Sequence, residues 1–172
     1  MKYRISVAMM LLYAVAFLQA NPLAVIRPFG IRMLLPLAVT VVTGLLRGPL
    51  ESVLMGFLYG MSMDMLMGRT LGLHAVMYAA VAGLISLVNE KLYREKIFIQ
   101  ASFSLISVLV TEVLFYLFVF LLRGYSSFGT MFVAVILPTA LCNSLLILPL
   151  YRPYAAIYAR LDVLDRKRNR IG

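Results

Sequence analysis

Ionisable and strongly polar side chains are rare inside the apolar stretches of this chain, and four stand out by position: Asp64, His74, Glu112 and Asn143. A carboxylate or imidazole surrounded by hydrocarbon is costly, so such residues usually serve a proton path, a substrate or a tie between helices. Glu112 lies past the middle of an otherwise uncharged run over 97–121, with Ser104, Ser107 and Thr111 beside it at helical spacing. That spacing makes one polar seam, which should face protein and not lipid. Asp64 and His74 fall near the facing ends of two consecutive apolar stretches joined by Gly68-Arg69-Thr70. One chemistry open to Asp64, His74 and Glu112 is a shared proton or substrate site in the outer half of a bilayer. The plainer alternative has Asp64 and His74 capping or pinning the tight turn, while Glu112 pairs with a neighbouring helix. Asn143, one turn after Thr139, reads as interhelical hydrogen-bonding glue and not as a ligand.

Around these residues runs a regular pattern of small ones. Gly44, Gly48, Ser52, Gly56, Gly60, Asp64, Gly68 and Gly72 occupy a strict four-residue grid. On a helix, Ser52, Gly56, Gly60 and Asp64 then form a slowly drifting stripe on one face. A small-residue stripe lets another backbone approach closely, so this face, with Gly68 and Gly72 continuing the grid, is expected to serve helix packing or partner binding. It packs the internal core or receives the single span of a partner.

Composition says where these helices live. Of 172 residues 63% are hydrophobic, the mean hydropathy is +0.95, and only 13% are charged, against about a quarter in a soluble domain. The chain is an integral membrane protein with too little exterior for a soluble catalytic domain. A formal charge of +9 would suggest nucleic acid in a soluble protein; here cationic loops reflect orientation and anionic lipid, so no nucleic-acid partner is expected. The single Cys142 sits in an apolar run, which excludes an internal disulfide and suits a buried small residue. No phosphate loop, nucleotide fingerprint, zincin helix or Ser/His/Asp constellation appears, and the lone His74 builds no zinc site. The methionines, dense between Met55 and Met77, are adaptable packing with no metal-binding partners. No enzyme activity, metal or cofactor is expected.

The elements that must position the polar residues are helices. The pattern predicts an all-α polytopic bundle of six transmembrane helices at about 5–20, 31–46, 50–67, 71–88, 97–121 and 129–151. Together they make one transmembrane domain over 1–151, followed by a basic tail over 152–172. The N-terminus resembles a signal peptide, yet later stretches are equally apolar, so it reads as an uncleaved first span. The second span has 14 uncharged residues between Arg32 and Arg47, about 21 Å of helix against a hydrocarbon core of roughly 30 Å. Both arginines would have to snorkel, or the bilayer thin. Pro138 and Pro149 predict a kinked sixth helix, with Arg152-Pro153 ending it. Beyond it a short interfacial helix carries Arg166, Lys167, Arg168 and Arg170, which suit contact with cytoplasmic lipid or a filament. With six spans, twelve Lys and Arg residues fall on the side of the termini and four (Arg27, Arg32, Arg69, Arg123) opposite. Both termini are therefore expected on the cytoplasmic side of the membrane.

The central stretch resembles the MreD family of rod shape-determining proteins. The matching residues are Leu46-Arg47-Gly48, Gly56-Phe57, Gly60, Asp64, Gly68 and Leu71-Gly72-Leu73-His74-Ala75 with Tyr78, then Asn143-Ser144-Leu145-Leu146 and Pro149-Leu150-Tyr151. Neither motif is catalytic, and Glu112 belongs to neither. The resemblance implies a non-enzymatic scaffold of the cell-elongation machinery. It implies as partners an MreC-like bitopic protein, a RodA-type glycosyltransferase with its class B penicillin-binding protein, an MreB-like filament and membrane lipids. It also implies a fold similar to the six-helix substrate-binding subunit of energy-coupling-factor transporters. That likeness supplies the alternative function, a small-molecule or lipid-intermediate binding or transport subunit with a pocket lined by Asp64, His74 and Glu112.

Overall fold

The computed structural model describes residues 2–20, 31, 33–67, 72–89, 97–123 and 128–168, and these are helical with short connections. In chain order the helices are α1 (Lys2–Ala20), α2 (Leu35–Leu46), α3 (Pro49–Met67), α4 (Leu73–Asn89), α5 (Ile97–Arg123), α6 (Phe128–Met131) and α7 (Leu137–Arg168). Five residues in π-helical register, Phe132–Ile136, join α6 to α7. The Phe132–Val163 stretch is long and apolar enough to cross a membrane, and the shorter apolar helices Ser6–Ala20, Leu35–Leu46, Leu73–Asn89 and Ser104–Phe118 accompany it.

The bundle is organised around its shortest spanning candidate. α2 has 12 residues, about 18 Å of helix, and every residue from Leu35 to Leu45 is buried. Because neighbouring helices and not lipid surround it, its shortness needs no bilayer thinning. Arg47 does not snorkel: its guanidinium lies 4.2 Å over the Tyr158 ring, and Nη1 donates to both Asp162 oxygens at 3.0 and 3.2 Å. A helix end leaves backbone groups unpaired, and burying them unpaired is expensive. Side chains from elsewhere solve this at both ends of α2. At its start the Leu34 N–H donates to Asn143 Oδ1 at 2.7 Å and the Leu35 N–H to Gln19 Oε1 at 2.8 Å. At its finish Asn89 Nδ2 donates to the Leu45 carbonyl at 2.6 Å, while Ser86 Oγ donates to the Arg47 carbonyl at 2.6 Å. The Ser52 hydroxyl reaches the Thr43 and Arg47 carbonyls at 3.3 and 3.2 Å.

α3 and α4 pack as a tight antiparallel pair because the small-residue stripe lies between them. A Cβ on Gly56 would stand 2.6 Å from the Tyr78 carbonyl oxygen, and one on Gly60 would collide with the His74 carbonyl and the Ala75 backbone. At Gly56 and Gly60 the stripe therefore lies against α4. Gly44 of α2 meets Ala82 and Ile85 of α4 in the same manner at 3.1 Å.

The end of the last span differs from expectation. α7 continues through Arg152-Pro153 to Arg168, so residues 152–168 continue the preceding helix without a break. Buried Ile147, Tyr154, Tyr158 and Leu161 carry one helical face past the prolines, and Pro149 and Pro153 point outward. The Tyr154 and Tyr59 hydroxyls are 3.0 Å apart, and with Asp162 on Arg47 they dock the extension on the bundle. Packing along that face outweighs the lost proline hydrogen bonds. The π segment lies directly before Pro138, where the ring's missing N–H already breaks the regular ladder.

Candidate functional site

Asp64 ends the stripe on α3 and is buried, 2% exposed. Its two oxygens accept four bonds: from the Gly72, His74 and Ala75 backbone N–H groups at 3.0, 3.2 and 3.1 Å, and from His74 Nδ1 at 2.7 Å. The carboxylate thus caps the first turn of α4 from the preceding helix, where the helix dipole also favours negative charge. Gly72 makes the approach possible, since its φ of +90° lies in the left-handed region that side chains disfavour. A carboxylate only accepts, so the hydrogen bond from His74 fixes a proton on Nδ1 and turns Nε2 away from Asp64. Asp64 thus holds the start of α4 and fixes the ring.

Beyond the imidazole opens a cavity of about 360 Å³ between α4, α5, the start of α2 and the π segment. Its polar lining comes from His74, Tyr78, Thr111, Glu112 and Thr139, and its apolar walls from Leu37, Met67, Met77, Phe115, Ala134 and Val135 among others. The His74 ring lies 4.5 Å from the Phe115 ring and edge-on to Tyr78 at 5.9 Å. Among the described residues nothing hydrogen-bonds or ion-pairs with the Glu112 carboxyl, so the predicted pairing with a neighbouring helix is not seen there. The Ser104, Ser107 and Thr111 seam is buried as expected. Thr111 Oγ1 is satisfied locally by the Ser107 carbonyl at 2.7 Å, and Ser104 Oγ bonds the Ser144 carbonyl at 3.3 Å.

The predicted residues thus separate into groups. Ser52, Gly56, Gly60 and Asp64 join α3 to α2 and α4. His74 and Glu112 share the cavity, but Asp64 stands behind the imidazole and not in the lining. Asn143 bonds the start of α2, as the reading of interhelical glue has it, and also donates to the Thr139 carbonyl at 2.9 Å. Gly68, Arg170 and the side chains of Arg166, Lys167 and Arg168 lie outside the described residues. Among the described residues no group of three or more His, Cys, Asp or Glu could hold a metal ion. Sequence reasoning passed over Gln19, Ser86, Asn89 and the Arg47–Asp162 pair. Gln19 and Asn89 flank apolar runs where a polar residue looks interfacial, and only the buried ends of α2 reveal their work.

Comparison with known proteins gives one match: the family model described as rod shape-determining protein MreD covers residues 2–161. No curated protein and no solved structure matches the chain.

Proposed function

The chain belongs to the family of the rod shape-determining protein MreD, a family of membrane proteins that act in rod shape determination, and from this premise we propose a specific role. The protein is a non-enzymatic integral membrane scaffold of the cell-elongation machinery. It binds an MreC-like bitopic protein and helps couple a RodA-type glycosyltransferase and its class B penicillin-binding protein to an MreB-like filament. It spans the inner membrane six times with both termini in the cytoplasm, in an arrangement similar to the substrate-binding subunits of energy-coupling-factor transporters.

The observation that carries this reading is where the polar groups of the α2–α4 half go. Ser52, Asp64, Ser86, Asn89 and Asn143 tie helix ends together, which suits a rigid platform. With the glycine stripe closed inside, the surface offered to a partner's span is an outer apolar face such as that of α3, where Leu54, Phe57, Leu58, Met61 and Met65 are exposed. Van der Waals packing on such a face drives helix association in lipid, where no hydrophobic force acts between helices.

The test is affinity purification of the tagged protein from native membranes in mild detergent, with mass spectrometry of the recovered proteins. A bitopic coiled-coil partner and wall synthases are expected in near-stoichiometric amounts. A paired Leu58→Lys, Met61→Lys substitution on α3 should abolish their recovery while the bundle stays folded. Recovery of none of these partners from native membranes overturns the scaffold.

A further inference from the structure

The cavity beside His74 has a chemical bias that a scaffold does not require. Its polar lining includes the Glu112 carboxyl, an acceptor without a partner among the described residues, and the His74 ring, whose Nδ1 proton is held by Asp64. Among the described residues no arginine or lysine lines it. A phosphate, pyrophosphate or carboxylate placed there would face Glu112 with no compensating cation among the described lining residues. An ammonium would meet the carboxylate at close range in a low-dielectric setting, where such a bond is strong. The aromatic faces of Phe115 and Tyr78 add favourable surface for a cation and for a flat apolar body. The volume lies within the range of pockets that enclose small molecules, and one wall, Ala134 and Val135, belongs to a π-helical segment, an irregularity frequent at functional sites.

We propose that this cavity binds a small amphiphilic amine, its ammonium on the Glu112 carboxyl and its apolar body between Phe115 and the Met77–Leu37 wall. The pocket differs from one built on an Asp64–His74–Glu112 triad, because Asp64 orients the imidazole and makes no contact with the ligand. It also disfavours lipid intermediates carried on pyrophosphate. The amine is a free metabolite or the ethanolamine headgroup of a phospholipid; the ammonium chemistry is common to both.

The chain contains no tryptophan, so the emission of an indole probe reports binding without background. The experiment titrates full-length protein in detergent with tryptamine and with its anionic counterpart indole-3-propionate, empty micelles serving as blank. Wild type should bind tryptamine saturably and at least tenfold more tightly than indole-3-propionate. Glu112→Gln should remove that preference, and Ala134→Phe, which fills the wall and keeps the carboxyl, should weaken both probes. Displacement of tryptamine by phosphatidylethanolamine but not phosphatidylglycerol assigns the site to lipid, and displacement by neither assigns it to a free amine. Binding that fails to saturate in wild type, equal affinity for the two probes, or a preference that survives in Glu112→Gln overturns the proposal. Ala134→Phe keeps the test decisive if Glu112→Gln does not fold, since unchanged tryptamine binding in that variant places the probe outside the cavity.

Discussion

Where α3 meets α4, backbone lies on backbone: Gly56 and Gly60 leave no room for a methyl group, and Asp64 closes the end with four accepted hydrogen bonds. Where α5 approaches α4 and the π segment, side chains of similar apolar character stand apart around a cavity, and Glu112 faces it without a partner among the described residues. The two halves share composition and differ in the placement of small residues. A glycine every fourth residue brings two axes together, whereas α5 carries phenylalanine, leucine and valine along its length, which hold neighbours at a distance. Density in one half thus stabilises the bundle, and space in the other is free for a ligand.

The comparison breaks first if the glycine contacts are dispensable. Gly60→Leu should be the most damaging change, since its Cβ meets α4 backbone that cannot rotate away; a loss of about 3 kcal/mol or more is expected, read as failure to recover folded protein in detergent. Gly48→Leu is the control, because nothing lies within 4 Å of a Cβ there, and its unfolding temperature should stay close to that of wild type. Asp64→Ala comes next: it strands three backbone donors and the His74 ring, at a cost of about 3 kcal/mol. Thermal unfolding in detergent should show the loss, and Asp64→Asn should recover part of it. Asn143→Leu removes the acceptor for Leu34 N–H and should cost about 1–3 kcal/mol, with faster hydrogen exchange at the start of α2. Asp162→Asn acts on a pair whose carboxylate is 41% exposed and should cost only about 0.5 kcal/mol. Smallest of all is Glu112→Gln, for which unfolding should shift by no more than about 0.5 kcal/mol. A large loss there would mean that Glu112 supports the fold, and the contrast between the halves would disappear.

Much of the dense half was legible because its signals are local. The four-residue grid announced the α3 stripe, and Asp64 and His74, near the facing ends of consecutive helices, announced a contact between them. Helical spacing of Ser104, Ser107 and Thr111 announced the buried seam on α5. What escaped depends on distant partners. Gln19 and Asn143 act on backbone 16 and 109 positions away in sequence, and no local pattern marks a side chain as the cap of another helix. Arg152-Pro153 looked like a stop because proline ends an isolated helix. The spacing of Ile147, Tyr154, Tyr158 and Leu161 spoke for continuation, and contacts with Tyr59 and Arg47 decided it. The cavity itself had no signature beyond Glu112, since an empty volume is set by how three helices diverge and not by any one of them.

The caps of α2 also impose an order on synthesis. Gln19 leaves the ribosome before α2, but Asn89 and Asn143 emerge later, and Asn143 belongs to the last span. When α2 first enters the membrane its leading end has one acceptor of two, and its trailing carbonyls have no partner from α4. The nascent bundle therefore carries an unfinished helix at its centre until α7 has been made. Chains halted between residues 124 and 140 should hold α2 in a protease-sensitive state, and synthesis through α7 should close it.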